Sequence, residues 1–248
     1  MDNSTFVSLS LATAMRREMD VTANNIANAN TPGFRGERVL FESLFLEQGG
    51  ADQGGTSFVQ DTGSYVDTSQ GALTKTGNPL DVAIQGNGWM SYQTDTGQTA
   101  YGRDGRLTLD GQGNLVTMSG AKVLDAGGSA IALPPDLGGA VTISADGTIS
   151  APGQGTLARL GLVDLPDEQG LERIGGGLFA APEGRAPVAT PSIGSKFVQG
   201  AIEGSNVQPI IEMTRMMSIQ KAYDRAVKLM GGEDDLRKDA LRRLGKQL

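Results

Sequence analysis

The sequence of 248 residues contains no cysteine and no histidine. The first absence excludes disulfides, thiolate nucleophiles and thiolate metal sites. The second removes the usual general base, the commonest metal ligand and every histidine-containing triad. An enzyme could still use carboxylates for acid–base work. No run of 18 apolar residues occurs, so no membrane-spanning helix is expected. Basic excess is missing too: 21 Lys and Arg face 28 Asp and Glu, a net charge of −7. A phosphate-binding surface needs the opposite balance, which disfavours nucleic acid as a partner. Met1-Asp-Asn-Ser-Thr5 lacks a basic region followed by an apolar block, so no cleaved secretory signal is expected.

Glycine is abundant, at 36 residues. It has no collagen period and instead forms Asp-Gly and Gly-Asn pairs, the punctuation of a turn-rich β protein. From Leu80 the pattern has period two, with Leu80, Val82 and Ile84 alternating with Asp81, Ala83 and Gln85. Gly86-Asn-Gly88 followed by Trp89–Tyr92 then reads as a hairpin. Further turns are expected at Asp95-Thr-Gly97, Asp104-Gly105, Asp110–Asn114 and Asp146-Gly147. The strands between them are placed at Leu107–Leu109, Leu115–Thr117, Val123-Leu124, Val141–Ile143 and Leu160–Leu165. Short strands at regular intervals predict an antiparallel β sandwich or a partly closed barrel.

The ends of the chain have helical spacing instead. Leu11, Met15, Met19, Ala23 and Ile26 recur at three- and four-residue steps until Pro32-Gly33 stops the pattern. At the other end Pro209 suits a first helical turn and Glu212 suits its positive end. Met213, Met217, Gln220, Tyr223, Val227 and Met230 make one stripe, and Ile219, Ala222, Ala226 and Leu229 a second beside it. So wide an apolar face exceeds what one neighbour needs, and methionine adapts to irregular partners. The alternatives are an ordinary helix packed on the β domain and a stripe buried in a monomer core. Gly231-Gly232 is expected to break this helix. After it Leu236, Ala240, Leu241 and Leu244 mark a short charged amphipathic helix.

Asn24, Asn25, Asn28 and Asn30 are poor helix formers, since their amides compete for local backbone groups. They read either as a fraying helix end or as amides that hydrogen-bond across a subunit interface.

The expected organisation is residues 1–35, N-terminal helix; 36–75, an extended connector with Gly49-Gly50 and Gly54-Gly55; 76–195, a β-rich domain; 196–231, C-terminal helix; and 232–248, a charged helical tail. In fold class the chain is mainly β with terminal α-helices, the β domain being inserted between coiled-coil-like ends.

Motifs that could carry chemistry are weak. Gly153-Gln-Gly155-Thr-Leu-Ala158 has the spacing of a dinucleotide loop, but Pro152 before it and a strand after it make it a turn. Asp110-Gly-Gln-Gly-Asn114 lacks the frame of a calcium loop. No catalytic residue, cofactor site or metal site is assigned.

Several longer stretches resemble one family, the bacterial flagellar axial proteins of the rod and hook. Asn24–Arg35, with asparagines ahead of Gly33-Phe34, is similar to that family's N-terminal signature. Gly77–Trp89 resembles the opening of the family's β domain, with Trp89 where Phe is more usual. Tyr101–Val116 resembles the block that follows, and Gln199–Pro209 with its Met-rich helix resembles the C-terminal signature. Length, a single modest β domain and the segment Leu160–Phe179 are most like proximal rod members, with distal rod or hook-type members as the alternative.

The resemblance implies a non-enzymatic structural subunit, exported by the flagellar type III apparatus and stacked in the periplasmic rod that transmits torque. It implies neighbouring axial subunits and the export apparatus as partners. Nucleic acid, membrane insertion and a small-molecule substrate are not expected. The interface residues would be Leu11, Met15, Met19, Asn24, Asn25, Ile26, Asn28 and Asn30 at one end. At the other they would be Met213, Met217, Gln220, Tyr223, Val227 and Met230, with the asparagines fixing register. The terminal helices would order fully only on assembly. A secreted β-rich adhesin or glycan-binding module is the reading from a different class, and a carboxylate-based glycosidase comes third.

Overall fold

The computed structural model describes residues 3–46, 56–134, 141–182, 184 and 188–244. Gly49-Gly50 and Gly54-Gly55 of the expected connector lie outside the described residues, as do the side chains of Ala240, Leu241 and Leu244. The chain forms two compact units. One comprises Met1–Ala27, Glu37–Val66 and Gln208–Leu248, and the other Asn28–Gly36 and Asp67–Val207.

The first unit holds two long helices and a hairpin. Helix α1 (Asn3–Ala27) ends where the asparagines begin to make turns. Thr31 N–H donates to the Asn28 carbonyl at 3.1 Å and its hydroxyl to Asn28 Oδ1 at 3.1 Å. Pro32 forbids any return to the helix. Strands β1 (Glu37–Leu46) and β2 (Thr56–Val66) pair antiparallel, with a bulge that leaves Thr62 opposite the Leu40/Phe41 step. This hairpin takes the place of the extended connector anticipated over 36–75. Val39, Phe41, Phe58 and Val59 are half-buried, while Leu40, Leu44 and Phe45 are exposed.

Helix α2 (Pro209–Leu244) is continuous. The break expected at Gly231-Gly232 does not form. Each glycine costs a helix interior about 1 kcal/mol, which does not outweigh flanking helix formers when no proline intervenes. Just beyond, the Lys238–Asp234 pair at 2.7 Å, spaced i, i+4, is exposed on both sides and adds little. No helix among the described residues is long and apolar enough to cross a membrane.

The second unit is built of antiparallel strands with one short 3-10 turn at Glu168–Gly170. Its strands are β3 (Leu73–Lys75), β4 (Val82–Gln85), β5 (Trp89–Gln93), β6 (Thr99–Gly102), β7 (Leu107–Leu109), β8 (Leu115–Thr117), β9 (Lys122–Val123), β10 (Thr142–Ile143), β11 (Thr148–Ala151) and β12 (Gly155–Arg159). They continue as β13 (Leu162–Asp164), β14 (Glu172–Gly175), β15 (Leu178–Ala180), β16 (Thr190–Pro191), β17 (Lys196–Gln199) and β18 (Ala201–Glu203). The largest sheet runs β14-β15-β6-β5-β9-β8-β7, and its two ends do not pair with each other. Among the described residues there is therefore no closed barrel. Ile84, Met90, Tyr92, Leu115, Val123, Ile149, Leu160 and Phe197 form the core. The Asp110–Asn114 segment is the β7–β8 turn, held by Asp110 Oδ1, which accepts from the N–H groups of Gln112 (2.7 Å) and Asn114 (2.9 Å). Gly153 and Gly155, both at positive φ, belong to the β11–β12 turn.

One expected pairing is replaced. Strand β4 does not form a hairpin with β5; it pairs with β17, and β5 pairs with β6, β9 and β13. The Gly86–Gly88 segment wraps a guanidinium instead. Arg103 Nη1 donates to the Gly88 carbonyl (2.7 Å) and Nη2 to those of Gly86 (2.8 Å) and Ile84 (3.2 Å). Carbonyls bonded to a buried charge are not available to a two-residue turn.

Candidate assembly surface

The two terminal helices are each other's partner within the chain. Thr5 Oγ1 donates to Glu233 Oε2 at 2.7 Å, and Arg215 Nε lies 3.2 Å from Glu18 Oε1. The early residue of α1 meets the late residue of α2, so the pair is antiparallel. Residues 5, 8, 12, 15, 19, 22 and 26 of α1 are all buried or half-buried, as are 212, 216, 219, 223, 226, 230 and 233 of α2. Both series alternate steps of three and four, a period of 3.5 that keeps one seam facing one neighbour. Small side chains, Ser8, Ala12, Thr22 and Ala226, share its buried positions with Ile219 and Glu212.

A second side of α1 meets the hairpin. Ser10 Oγ accepts from Val59 N–H (3.3 Å), and Arg17 approaches Asp61 (3.9 Å). Asn25 exchanges two bonds with one residue, its amide donating to the Glu37 carbonyl (2.8 Å) and its carbonyl accepting from Glu37 N–H (3.0 Å). Arg38 Nη1 stands 2.7 Å from Glu212 Oε1, close enough for an ion pair but without hydrogen-bond alignment. Glu212 itself is fully buried, so the α2 start is anchored by charge as well as by Pro209.

The residues singled out by sequence therefore divide. Leu11, Met15, Met19, Ile26, Tyr223 and Met230 are half-buried within the single chain. Asn25 is buried and engaged with β1, and Asn28 shapes the turn after α1. Asn24 and Asn30 are exposed, so the four amides do not act as one set. Gln220 and Val227 are exposed, and Met213 and Met217 are 52% and 54% exposed. Beside them lie residues that sequence reasoning passed over: Ile210, 81% exposed, and Ile211 on α2, with Phe6 (44%) and Leu9 (51%) on α1. Two isoleucines directly after the helix-starting proline were the available signal. Large apolar side chains in contiguous exposed stripes mark interaction surfaces.

Sequence reasoning also missed a buried charge cluster in the second unit. Glu203 is fully buried, with Arg35 Nη1 at 2.7 Å from its Oε1 and Arg103 Nε at 2.8 Å from its Oε2. Gly71 N–H donates to Oε1 (2.9 Å), and the Glu203 backbone carbonyl accepts from Gly33 N–H (2.8 Å). Burial pulls the Arg35 guanidinium below its ordinary range, and Glu203 opposes that shift. Arg173 lies between the rings of Phe34 (4.4 Å) and Phe179 (4.8 Å) and donates to the Arg35 carbonyl (2.7 Å). Asn206 completes the arrangement: its Oδ1 accepts from Gly36 N–H (2.7 Å) and its amide donates to the Asp67 carbonyl (2.8 Å). The stretches 24–35, 101–116 and 199–209, noticed as separate signatures, thus supply one interlocked core. Its chemistry is structural, because Arg35, Arg103 and Arg173 each meet another part of the same chain.

Comparison with known proteins matches three stretches to flagellar sequence families. Residues 8–35 match the flagella basal body rod protein family, 83–151 the flagellar hook protein FlgE/F/G D1 domain, and 198–243 the flagellar basal body rod FlgEFG protein C-terminal family. The flagellar basal-body rod protein FlgF of Caulobacter vibrioides is 41% identical over 248 residues, covering 99% of each chain. FlgF of Salmonella typhimurium is 33% identical, covering 95% of each. The flagellar basal-body rod protein FlgG of Caulobacter vibrioides is 32% identical, covering 90% of this chain and 92% of its own.

Proposed function

Because the chain belongs to the flagellar basal-body rod protein family, we propose that it is a proximal-rod subunit that polymerises through exposed faces of its terminal helices. It is a structural, non-enzymatic protein of the basal-body rod, and this replaces the adhesin and glycosidase readings. The proximal position is supported by greater identity to FlgF than to FlgG of the same organism.

The observation that carries the assembly reading is the exposed apolar stripe of α2 at Ile210, Met213 and Met217. The chain has a well-filled core elsewhere, so the stripe is not explained by a lack of places to bury it. In a rod it would be covered by neighbouring subunits, extending the coiled-coil-like pairing of α1 and α2 into a layer of helices. Contacts of this kind that do not close on themselves build a shaft that transmits torque. Export through the flagellar type III apparatus and a periplasmic position in the rod follow from the same reading.

Deleting the protein's gene and imaging the remaining basal bodies tests it. Structures that stop within the proximal rod are expected. Complete proximal rods that stop at the distal rod would move the assignment to that layer, and complete rods with hooks would overturn it.

A further inference from the structure

We propose that the groove between α1 and β2 receives the Ile210–Met213–Met217 face of α2 from a second copy of this chain, an inference that rests on the rod-subunit reading above. The groove lies within the first unit, is about 670 Å³ and is lined by Phe6, Leu9, Thr13, Phe58 and Val59. At one end the Arg17–Asp61 pair closes it. Phe6 and Leu9 are largely uncovered, although α1 is otherwise packed on two sides.

The proposed occupant fits this trough in three respects. Ile210, Met213 and Met217 are spaced by three and four residues and so form a single ridge on one helix face. Two charged residues of that stretch are already engaged, Glu212 with Arg38 and Arg215 with Glu18, so the ridge presents no unmatched charge to an apolar lining. Methionine side chains bend to fill a trough of irregular section.

The ridge does not reach the Phe6–Leu9 part of its own chain's groove. The contacts of Thr5 with Glu233 and of Glu18 with Arg215 fix the antiparallel register. They place the ridge near the Glu18 level of the helix pair, whereas Phe6 and Leu9 lie near the Glu233 end. The offset from Glu18 to Leu9 corresponds to roughly 14 Å at 1.5 Å per residue. Ridge and groove are different surfaces displaced along one axis, so filling one copy's groove with the next copy's ridge leaves a free ridge and a free groove. Such a heterologous contact propagates and does not close.

The absence of native cysteine allows a direct test, since introduced thiols are the only ones in this chain. Cells assemble flagella from the full chain carrying Leu9→Cys with Met217→Cys, or as a second pair Phe6→Cys with Met213→Cys. Isolated basal bodies are treated with a short bismaleimide and run on a denaturing gel. A ladder of covalent multimers is expected from at least one pair, with the single-cysteine variants remaining monomeric. Monomers alone from both pairs in basal bodies that contain the protein, dimers with nothing larger, or an adduct to a different rod protein would each overturn the pairing. Absence of the wild-type chain from the basal bodies would instead overturn the rod-subunit reading, and the pairing with it.

Discussion

Arg103 and Glu203, 100 residues apart in the chain, share a 2.8 Å charge-assisted hydrogen bond from which solvent is excluded. Glu203 also holds Arg35, so one carboxylate faces two guanidiniums. Arg103 distributes the rest of its donors over three backbone carbonyls. The cluster ties the segment that follows α1 to a loop of the large sheet and to β18, which precedes α2.

Glu203→Gln keeps the shape and removes the countercharge paired with both arginines. Removing one partner of a buried ion pair costs about 3–5 kcal/mol, because the other charge stays buried. Urea unfolding of the purified chain should show a loss of that order. A loss below about 1 kcal/mol would mean that the arginines find other partners and that the cluster does not organise the unit.

Two sets of glycines should respond in opposite directions. A Cβ on Gly105 would stand 1.6 Å from the Val82 carbonyl oxygen, and one on Gly33, at φ +67°, 2.4 Å from the Arg103 carbonyl carbon. Neither neighbour is a flexible side-chain end, so Gly105→Ala and Gly33→Ala are expected to cost about 3 kcal/mol or more. Gly231 and Gly232 meet nothing within 4 Å and sit inside α2. Replacing either with alanine should raise stability by up to about 1 kcal/mol. Thermal unfolding of the four variants checks both directions. A destabilised Gly231→Ala would show that the helix is not continuous there.

The asparagine run separates by role. Asn25→Ala removes two bonds to the Glu37 backbone and leaves that pair of groups unsatisfied, which should cost about 2 kcal/mol. Hydrogen exchange at Glu37 and its neighbours in β1 should accelerate. Asn30 is exposed, and Asn30→Ala should leave monomer stability within about 0.5 kcal/mol. Equal losses from both substitutions would contradict this division.

How much of this was legible in the sequence depends on the range of the interaction. Local signals read well: Asp110–Asn114 is a turn because its own side chain caps its own backbone, and α2 starts at Pro209 because that ring suits a first turn. The hairpin proposed at Gly86–Gly88 failed because Arg103, from the loop after β6, takes the carbonyls the turn would have needed. The apolar stripes were visible at both ends, but their division between an internal seam and an outward face was not. Periodicity gives the angular width of a face and leaves its neighbour unspecified. Arg35, Arg103 and Glu203 sat within stretches already noticed as signatures, yet nothing local reveals that three charges meet in one buried place.

Acid dependence should be traceable to Asp104. Burial raises its carboxyl above the ordinary range, against hydrogen bonding and charge from Arg106. With the folded value above the unfolded one, the associated stability is full at pH below the unfolded value. It is lost as pH rises through the folded value. Asp104→Asn retains the acceptor for Arg106 N–H and does not ionise. The variant should therefore lose less stability than the parent between about pH 4 and pH 7. Identical pH profiles in urea unfolding would show that the Asp104 ionisation is not coupled to folding.

The central claim is that the exposed methionine face of α2 is covered by neighbouring subunits in the rod. Met217→Asp tests it most directly, since Met217 is exposed in the single chain and the change should not disturb folding. A charge placed in an apolar contact without a partner is strongly unfavourable. The measurement is motility, together with images of basal bodies from cells whose only copy is the variant. A folded protein with unchanged unfolding midpoint, truncated rods and lost swimming is expected. Full-length rods and normal swimming with Met217→Asp would contradict it.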